Sequence, residues 1–250
     1  MINADNLIFL SPISIRLPSE LYDLIEADAR LFGFRKNGKG NINGFLNELL
    51  PSIINVQASI TPSSFFVKSD EETVSFFKNS IFYFDSIFKP VLKGNNVTIS
   101  FRVNKAHEKD FQEIYENILP VQNMDFSALF RSLLSIYIIN RLAVRERFLY
   151  FKNYTEISKS IVEKKQCIVF LKRKKFQLSC MAVFVSPISD RNVLLGIDSK
   201  TGNAHAIPFQ LVENVVIQNE DNITVKNPYK ILRKAFLIYL NTEKELQNKK

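Results

Sequence analysis

No tryptophan occurs among the 250 residues, and there are only two cysteines, two histidines and seven glycines. Each shortage removes a class of chemistry. Cys167 and Cys180 cannot build the disulfide framework of a small secreted domain. Each sits in an apolar, strand-like run without metal-ligand spacing, so both read as buried thiols. His107 and His205 have no second ligand at helical or hairpin distance, so no metal site is expected. A glycine-rich phosphate loop is absent, as is a serine nucleophile elbow. The carboxylates form no pair arranged for acid–base work. The expectation is a protein that is not an enzyme and needs no cofactor.

Long apolar runs are missing too. The longest, Leu133 to Ile139, has the length of a helix core and is too short to cross a bilayer. Met1 to Leu10 lacks a basic stretch and carries Asp5, unlike a secretory signal. These features lead us to expect a cytoplasmic protein with no membrane partner.

What the chain does have is apolar residues and localised positive charge. Hydrophobic residues make up 46%, including 22 Phe, enough for two packed domains. The formal net charge is +8. Between Arg141 and Lys175 stand 11 Lys/Arg against 3 acidic residues, which accounts for the whole excess. Such a field suits a polyanionic partner. A solvated helix followed by a lysine-blunted edge strand would produce the same count.

The first 140 residues contain a repeat. Ile13-Ser14-Ile15-Arg16-Leu17 and Ile99-Ser100-Phe101-Arg102-Val103 both alternate apolar and polar, with Ser and Arg at matching places. A helical segment follows each strand. The first carries Leu21, Leu24, Ile25, Asp28 and Phe32; the second carries His107, Phe111, Ile114 and Ile118. A second helix comes next in each copy. Ile42, Phe45, Leu46, Leu49 and Leu50 share their spacing with Phe126, Leu129, Phe130, Leu133 and Leu134, the pattern of one buried stripe. Asn41 and Asp125 are the expected caps. One such unit cannot protect its strand edges, but two can pair their strands and cover them with four helices.

This segment resembles the ribbon-helix-helix family, with both copies in one chain. The resemblance covers about residues 13–55 and 97–140. It implies that Ser14 and Arg16 of one strand, and Thr98, Ser100 and Arg102 of the other, face a DNA groove and read base edges. It also implies a phosphate contact at the loop Arg35-Lys36-Asn37-Gly38-Lys39-Gly40, where Lys36 and Lys39 supply charge and free backbone amides. The matching loop, Pro120 to Met124, has no basic residue. A scaffold or dimerisation module with ordinary surface arginines is the alternative.

Between the copies, residues 56–96 read as a helical insertion. Ser69-Asp70-Glu71-Glu72 opens a helix as a capping box, and Val74, Phe77, Ile81, Phe84 and Phe88 follow at heptad-like spacing. The same chain or a homodimer partner must cover that surface.

After linking helices at 141–164, with a turn expected near Asn153-Tyr154-Thr155, come five strand-like runs. They are Gln166–Lys172, Lys175–Val185, Asn192–Asp198, Ala204–Pro208 and Leu211–Gln218. Lys200-Thr201-Gly202-Asn203 is a hairpin signal. Many short strands suggest a small closed barrel over 165–220. The order resembles the WYL domain, an SH3- or Sm-like barrel. Val193-Leu194-Leu195-Gly196-Ile197-Asp198 falls on its signature strand, and Ile207 to Val215 on its closing segment. Val193 and Leu194 stand where the family has aromatics, and Pro208 and Leu211 where it has arginines. Within this region Lys172-Arg173-Lys174-Lys175 mark a basic turn, and Arg191, Lys200 and His205 join it if the barrel closes. Lysines of this kind grip phosphates without reading sequence. Phe170 and Phe176 would either stack on bases or fill the core. Pro228 to Leu246 reads as an amphipathic helix, within 226–250, packing on the barrel or across a dimer.

The fold expected is therefore α+β: tandem ribbon-helix-helix-like repeats in 1–140, then a small SH3/Sm-like β-barrel domain. Together they look like the WYL-domain accessory proteins of type VI-D CRISPR systems. That resemblance implies a modulator that binds single-stranded RNA and stimulates an RNA-guided CRISPR effector protein that cleaves RNA; the uncovered apolar insertion adds the expectation of a homodimer. A ligand-responsive repressor that reads DNA through the ribbon is the second reading, and a protein-interaction adaptor the third.

Overall fold

The computed structural model describes residues 12–60, 95–118 and 125–248. The chain divides into two compact units, Met1–Asn140 and Arg141–Lys250. The apolar insertion predicted around Val74 to Phe88 lies outside the described residues.

In the first unit, strand β1 (Ile13–Pro18) leads into helix α1 (Ser19–Leu31). A short hairpin, β2 (Arg35–Lys36) and β3 (Lys39–Gly40), leads into α2 (Ile42–Ile60). The second copy begins with β4 (Asn96–Phe101), then a tight turn of helix at Lys105–His107 and α3 (Glu108–Glu113). A wider π turn, Ile114–Ile118, continues α3, and α4 (Phe126–Ile138) completes the unit.

The two strands pair antiparallel, with Ile13 opposite Phe101, Ser14 opposite Ser100 and Ile15 opposite Ile99. This register has a consequence. The sequence repeat equates Ile13 with Ile99 and Ile15 with Phe101, so exchanging the copies maps the pairing onto itself. A pseudo-two-fold axis passes between Ser14 and Ser100. Alternation then divides the ribbon cleanly: Ile15, Leu17, Ile99 and Phe101 are buried, while Ser14, Arg16, Thr98 and Ser100 are exposed.

The helices obey the same symmetry. In each five-residue stripe the first member is half-buried and the other four are buried. Asn41 Oδ1 accepts from the Gly44 amide at 3.1 Å, and Asp125 Oδ1 from the Ala128 amide at 2.6 Å, capping both second helices. Phe101, Phe111 and Phe130 form an aromatic cluster with centroids 5.4–6.1 Å apart. Across the copies, the buried Tyr137 hydroxyl donates to Asp28 Oδ2 at 2.7 Å. One expectation is corrected in α1: Leu24 is 43% exposed, and the buried side is Leu21, Ile25, Asp28 and Ala29. A 3.6-residue period turns Leu24 away from the line through Leu21, Ile25 and Ala29.

In the second unit, α5 (Leu142–Leu149) and α6 (Phe151–Glu163) precede an antiparallel sheet. The break between them falls at Tyr150, three residues before the expected turn, where ψ turns to 33°. The strands are β5 (Lys165–Leu171), β6 (Lys174–Val185), β7 (Asn192–Asp198), β8 (Ala204–Pro208) and β9 (Val212–Asp221). Their order is β8-β7-β6-β5-β9. One face holds Cys167, Val169, Leu178, Cys180, Leu194 and Phe209 against Ile157 of α6. The other holds Val193, Leu195 and Ile197 against Leu232 of α7 (Pro228–Gln247).

A closed barrel was expected, and among the described residues no ladder joins β8 to β9. The two are the edges of the sheet, yet only Phe209–Leu211 separates them in the chain. Four Cα steps reach about 14 Å at most, so the sheet curls until its edges approach. Pro208, with no N–H to donate, ends the first edge.

Candidate nucleic-acid interface

The β5–β6 turn carries the densest charge. Leu171 pairs with Lys174, which leaves Lys172 and Arg173 as the turn itself. Lys172, Arg173, Lys174 and Lys175 are all exposed, and no side chain of the four has a hydrogen bond or ion pair among the described residues. Antiparallel order puts the β7–β8 turn at the same end of the sheet, and the Ser199 amide donating to Gln177 O at 2.8 Å ties it to β6. Lys200 is exposed in that turn. Asp198 organises it, accepting from the Lys200 amide at 2.9 Å and the Thr201 amide at 2.8 Å. Burial pushes the Asp198 carboxyl up, but the Thr201 and Lys200 bonds, with the nearby His205, outweigh it and hold it low. His205 is half-buried, its ring 4.8 Å from that of Phe176.

The stacking residues divide. Phe176 packs on the core side and against His205. Phe170 is half-buried, lying opposite Lys175 on one side and Asn214 on the other.

Arg191 does not join this group. It lies at the start of β7, the opposite end of the sheet, and is 8% exposed. Its guanidinium meets Glu146 Oε1 at 2.7 Å and donates to Gln210 Oε1 at 2.6 Å. Local sequence could not reveal this, because the carboxylate that captures it lies 45 residues earlier.

The surplus of the 141–175 stretch is thus divided. Arg141 pairs with Asp190, Lys165 reaches Asp221 at 2.7 Å, and Arg147 lies 4.9 Å over the Tyr154 ring. The Arg141 guanidinium beside Asp190 holds that carboxyl below the usual carboxylate range. A depressed folded value stabilises above the unfolded-state value, about 4, and the contribution is lost as pH falls through the folded one. Asp190→Asn should therefore lower the urea midpoint slightly near neutral pH, and the gap from wild type should close as the pH is lowered to about 2. A gap that is constant across pH would contradict the pairing.

In the first unit the outer face of the ribbon presents Ser14, Arg16, Thr98 and Ser100, with Arg102 exposed just beyond β4. Sequence reading missed what fixes the two arginines. Asn43 Oδ1 accepts from the Arg102 amide at 2.7 Å, and Asn47 Nδ2 donates to the Arg102 carbonyl at 2.9 Å. In the other copy Ser127 Oγ accepts from the Arg16 amide at 3.1 Å, and Arg131 donates to the Arg16 carbonyl at 3.3 Å. Asn43 matches Ser127 and Asn47 matches Arg131 in the repeat. Polar residues at the same two stripe-relative positions of both second helices were the signal available.

The loop before α2 differs from expectation. Asn37 and Gly38 adopt φ of 52° and 77°, the two positive values of a type I′ hairpin turn. Its last amides are not free: Gly40 donates to Glu26 Oε1 at 2.9 Å and Asn41 to the Phe34 carbonyl at 2.8 Å. A Cβ at position 40 would lie 2.8 Å from the Glu26 carbonyl oxygen, so only glycine fits. Lys36 and Lys39 remain exposed on this arm. Among the described residues there is no group of three metal-binding side chains, and no helix is long and apolar enough to cross a membrane.

No protein-family model matches the chain, and no curated protein matches it. A solved structure does: the crystal structure of a CRISPR Cas-related protein, at a TM-score of 0.63 and 13% identity. The likeness covers 92% of this chain and 70% of that one. That share exceeds what either unit alone contains. At this identity it establishes a shared α+β fold.

Proposed function

We propose that the protein is a non-enzymatic accessory of a CRISPR system, which binds single-stranded RNA and stimulates an RNA-guided effector that cleaves RNA. The observation that carries the RNA contact is the run Lys172 to Lys175, outward and without side-chain partners at the β5–β6 turn. Four cations with no internal partner break no ion pair when phosphates arrive, and released counterions drive the binding. Lys200 at the same end of the sheet extends the track. The likeness to a CRISPR Cas-related protein over most of the chain supports the setting.

Replacing Lys172, Arg173, Lys174 and Lys175 together by Glu should weaken binding to single-stranded RNA at least tenfold. It should also reduce the slope of log affinity against log salt by up to about 3. Anisotropy titrations across salt read both quantities, and unchanged affinity would remove this assignment. Adding the wild-type protein to the effector should raise its RNA cleavage rate, and the four-residue variant should not.

A second reading, a ligand-responsive transcriptional repressor, draws on the intramolecular ribbon, which resembles a ribbon-helix-helix pair. A two-stranded ribbon fits the major groove of B-form DNA. Preference for one duplex sequence over single-stranded RNA would favour it.

A further inference from the structure

The two cysteines of the chain meet in the sheet of the second unit. Alternation puts Cys167 of β5 and Cys180 of β6 on the same face, in the core that Ile157 of α6 closes. Both are free thiols, and both are buried. Cys167 pairs with Leu178, so Cys180 lies diagonally across the ladder. Their sulfurs are nonetheless 2.8 Å apart, only about 0.8 Å beyond the S–S bond of a disulfide. We infer that Cys167 and Cys180 form an oxidisable dithiol, which a peroxide converts into a reversible disulfide between β5 and β6. The site is separate from the RNA contact at the lysine turn and stands whether or not that reading does.

Three features set this pair apart from thiols that merely share a core. The first is distance. A metal shared by two thiolates, with tetrahedral bonds of about 2.3 Å, spaces the sulfurs about 3.8 Å apart. At 2.8 Å the pair is too close for that and near enough to bond directly. The second is the backbone. β5 shifts register against β9 between Lys165 and Cys167, and β6 shifts against β7 between Cys180 and Ala182. Each cysteine thus borders an irregularity in its outer ladder, where pairing is locally disrupted. A small oxidant needs that kind of opening, because a fully enclosed thiol is inert. The third is asymmetry. The hydrogen bond shared with Cys180 holds the Cys167 thiol below the ordinary thiol range; burial opposes it and the Ser160 hydroxyl assists. The same bond pushes the Cys180 thiol well up, and burial adds to that. One sulfur is prepared as the thiolate nucleophile while the other keeps its proton.

Hydrogen peroxide balances the step. The Cys167 thiolate attacks one peroxide oxygen, the O–O bond breaks, and the departing hydroxide takes up the proton that Cys167 had shed. Cys180 then attacks the sulfenic acid on Cys167. The S–S bond forms, and the sulfenic hydroxyl leaves with the Cys180 proton as a second water. Two thiols lose two electrons and two protons, and one peroxide becomes two waters. A dithiol reductant reverses the step by exchange. Cys167 lies five residues before Lys172, and Cys180 five after Lys175, so the bond closes a ring whose far side is the basic turn. Such a ring restricts the unfolded chain. In a reducing compartment a bridge of this kind is transient and reports oxidant.

The test uses the full chain, reduced, freed of reductant and exposed to hydrogen peroxide under native conditions. It is then denatured with an alkylating reagent present. Intact mass should show a protein two hydrogens lighter that takes no alkyl group, whereas the reduced protein takes two. Trypsin cuts within Lys172 to Lys175, so the two cysteine peptides should appear as one linked species that dithiothreitol separates. The oxidised protein should also unfold at a higher urea midpoint than the reduced one. In Cys180→Ser, peroxide should leave a sulfenic acid on Cys167 that dimedone labels at least about tenfold more than it labels Cys180 in Cys167→Ser. Two alkylated thiols after peroxide, a link between two chains, or a lower urea midpoint on oxidation would overturn the site. Equal dimedone labelling of the two variants would overturn Cys167 as the attacking sulfur. The mass and urea measurements use the wild-type chain, so they decide even where a serine variant fails to fold.

Discussion

Glu146→Ala should lower the stability of the second unit by about 3–5 kcal/mol, read as a shift in urea midpoint at unchanged slope. Glu146 is completely buried. One carboxylate oxygen takes the Arg191 guanidinium, and the other takes the Asn192 amide at 2.6 Å and its side-chain amide at 2.9 Å. Asn192 also donates to the Ala143 carbonyl at 2.7 Å. This is how α5 is fastened to the start of β7. Removing the carboxylate strands a nearly buried guanidinium and an amide donor, and desolvation of an unpaired charge dominates the cost. Glu146→Gln keeps the shape and should cost less than alanine. A loss below about 1 kcal/mol for the alanine variant would mean that water replaces the carboxylate freely.

Phe101→Ala should cost a similar amount in the first unit, about 3–5 kcal/mol. Phe101 is the inward residue that carries β4 onto the helices, against Phe111 and Phe130. Truncation leaves a cavity among rings that cannot collapse without moving the strand. Its outward neighbour provides the control. Ser100→Ala, one residue away on the same strand, should stay within about 0.5 kcal/mol. If the two substitutions cost the same, the division of the ribbon into a core face and a solvent face is wrong.

Much of this fold was legible because its information is local. Strict alternation at Ile13 to Leu17 and Ile99 to Phe101 marked two strands with defined inner faces. The matching stripes after Asn41 and Asp125 marked two helices with their caps. The five strands of the second unit fall on the five alternating or apolar runs. What escaped depends on distant partners. Nothing around Arg191 announces Glu146, so an internal cation was assigned to the surface. Nothing around Leu211 shows that β8 and β9 stop short of pairing. The loop at Arg35 to Gly40 contains a turn dipeptide, Asn37-Gly38, which two flanking pairs of residues turn into an arm. Charge counting also misled: the cations between Arg141 and Lys175 form one block in sequence, yet several serve ion pairs and ring contacts inside the unit. The turn at Lys172 to Lys175 keeps its charge for solvent, as do the exposed Lys152, Lys159 and Lys164 along α6 and at its end.

Because Ser14 and Ser100 belong to one polypeptide, dilution cannot separate the strands that meet there. A ribbon assembled from two molecules melts at a temperature that depends on protein concentration, whereas this one should not. The tether instead fixes a high local concentration of each strand for the other, at the entropic expense of closing a loop of more than eighty residues once, during folding. The two halves are then free to diverge, since a substitution in one no longer appears in its mate.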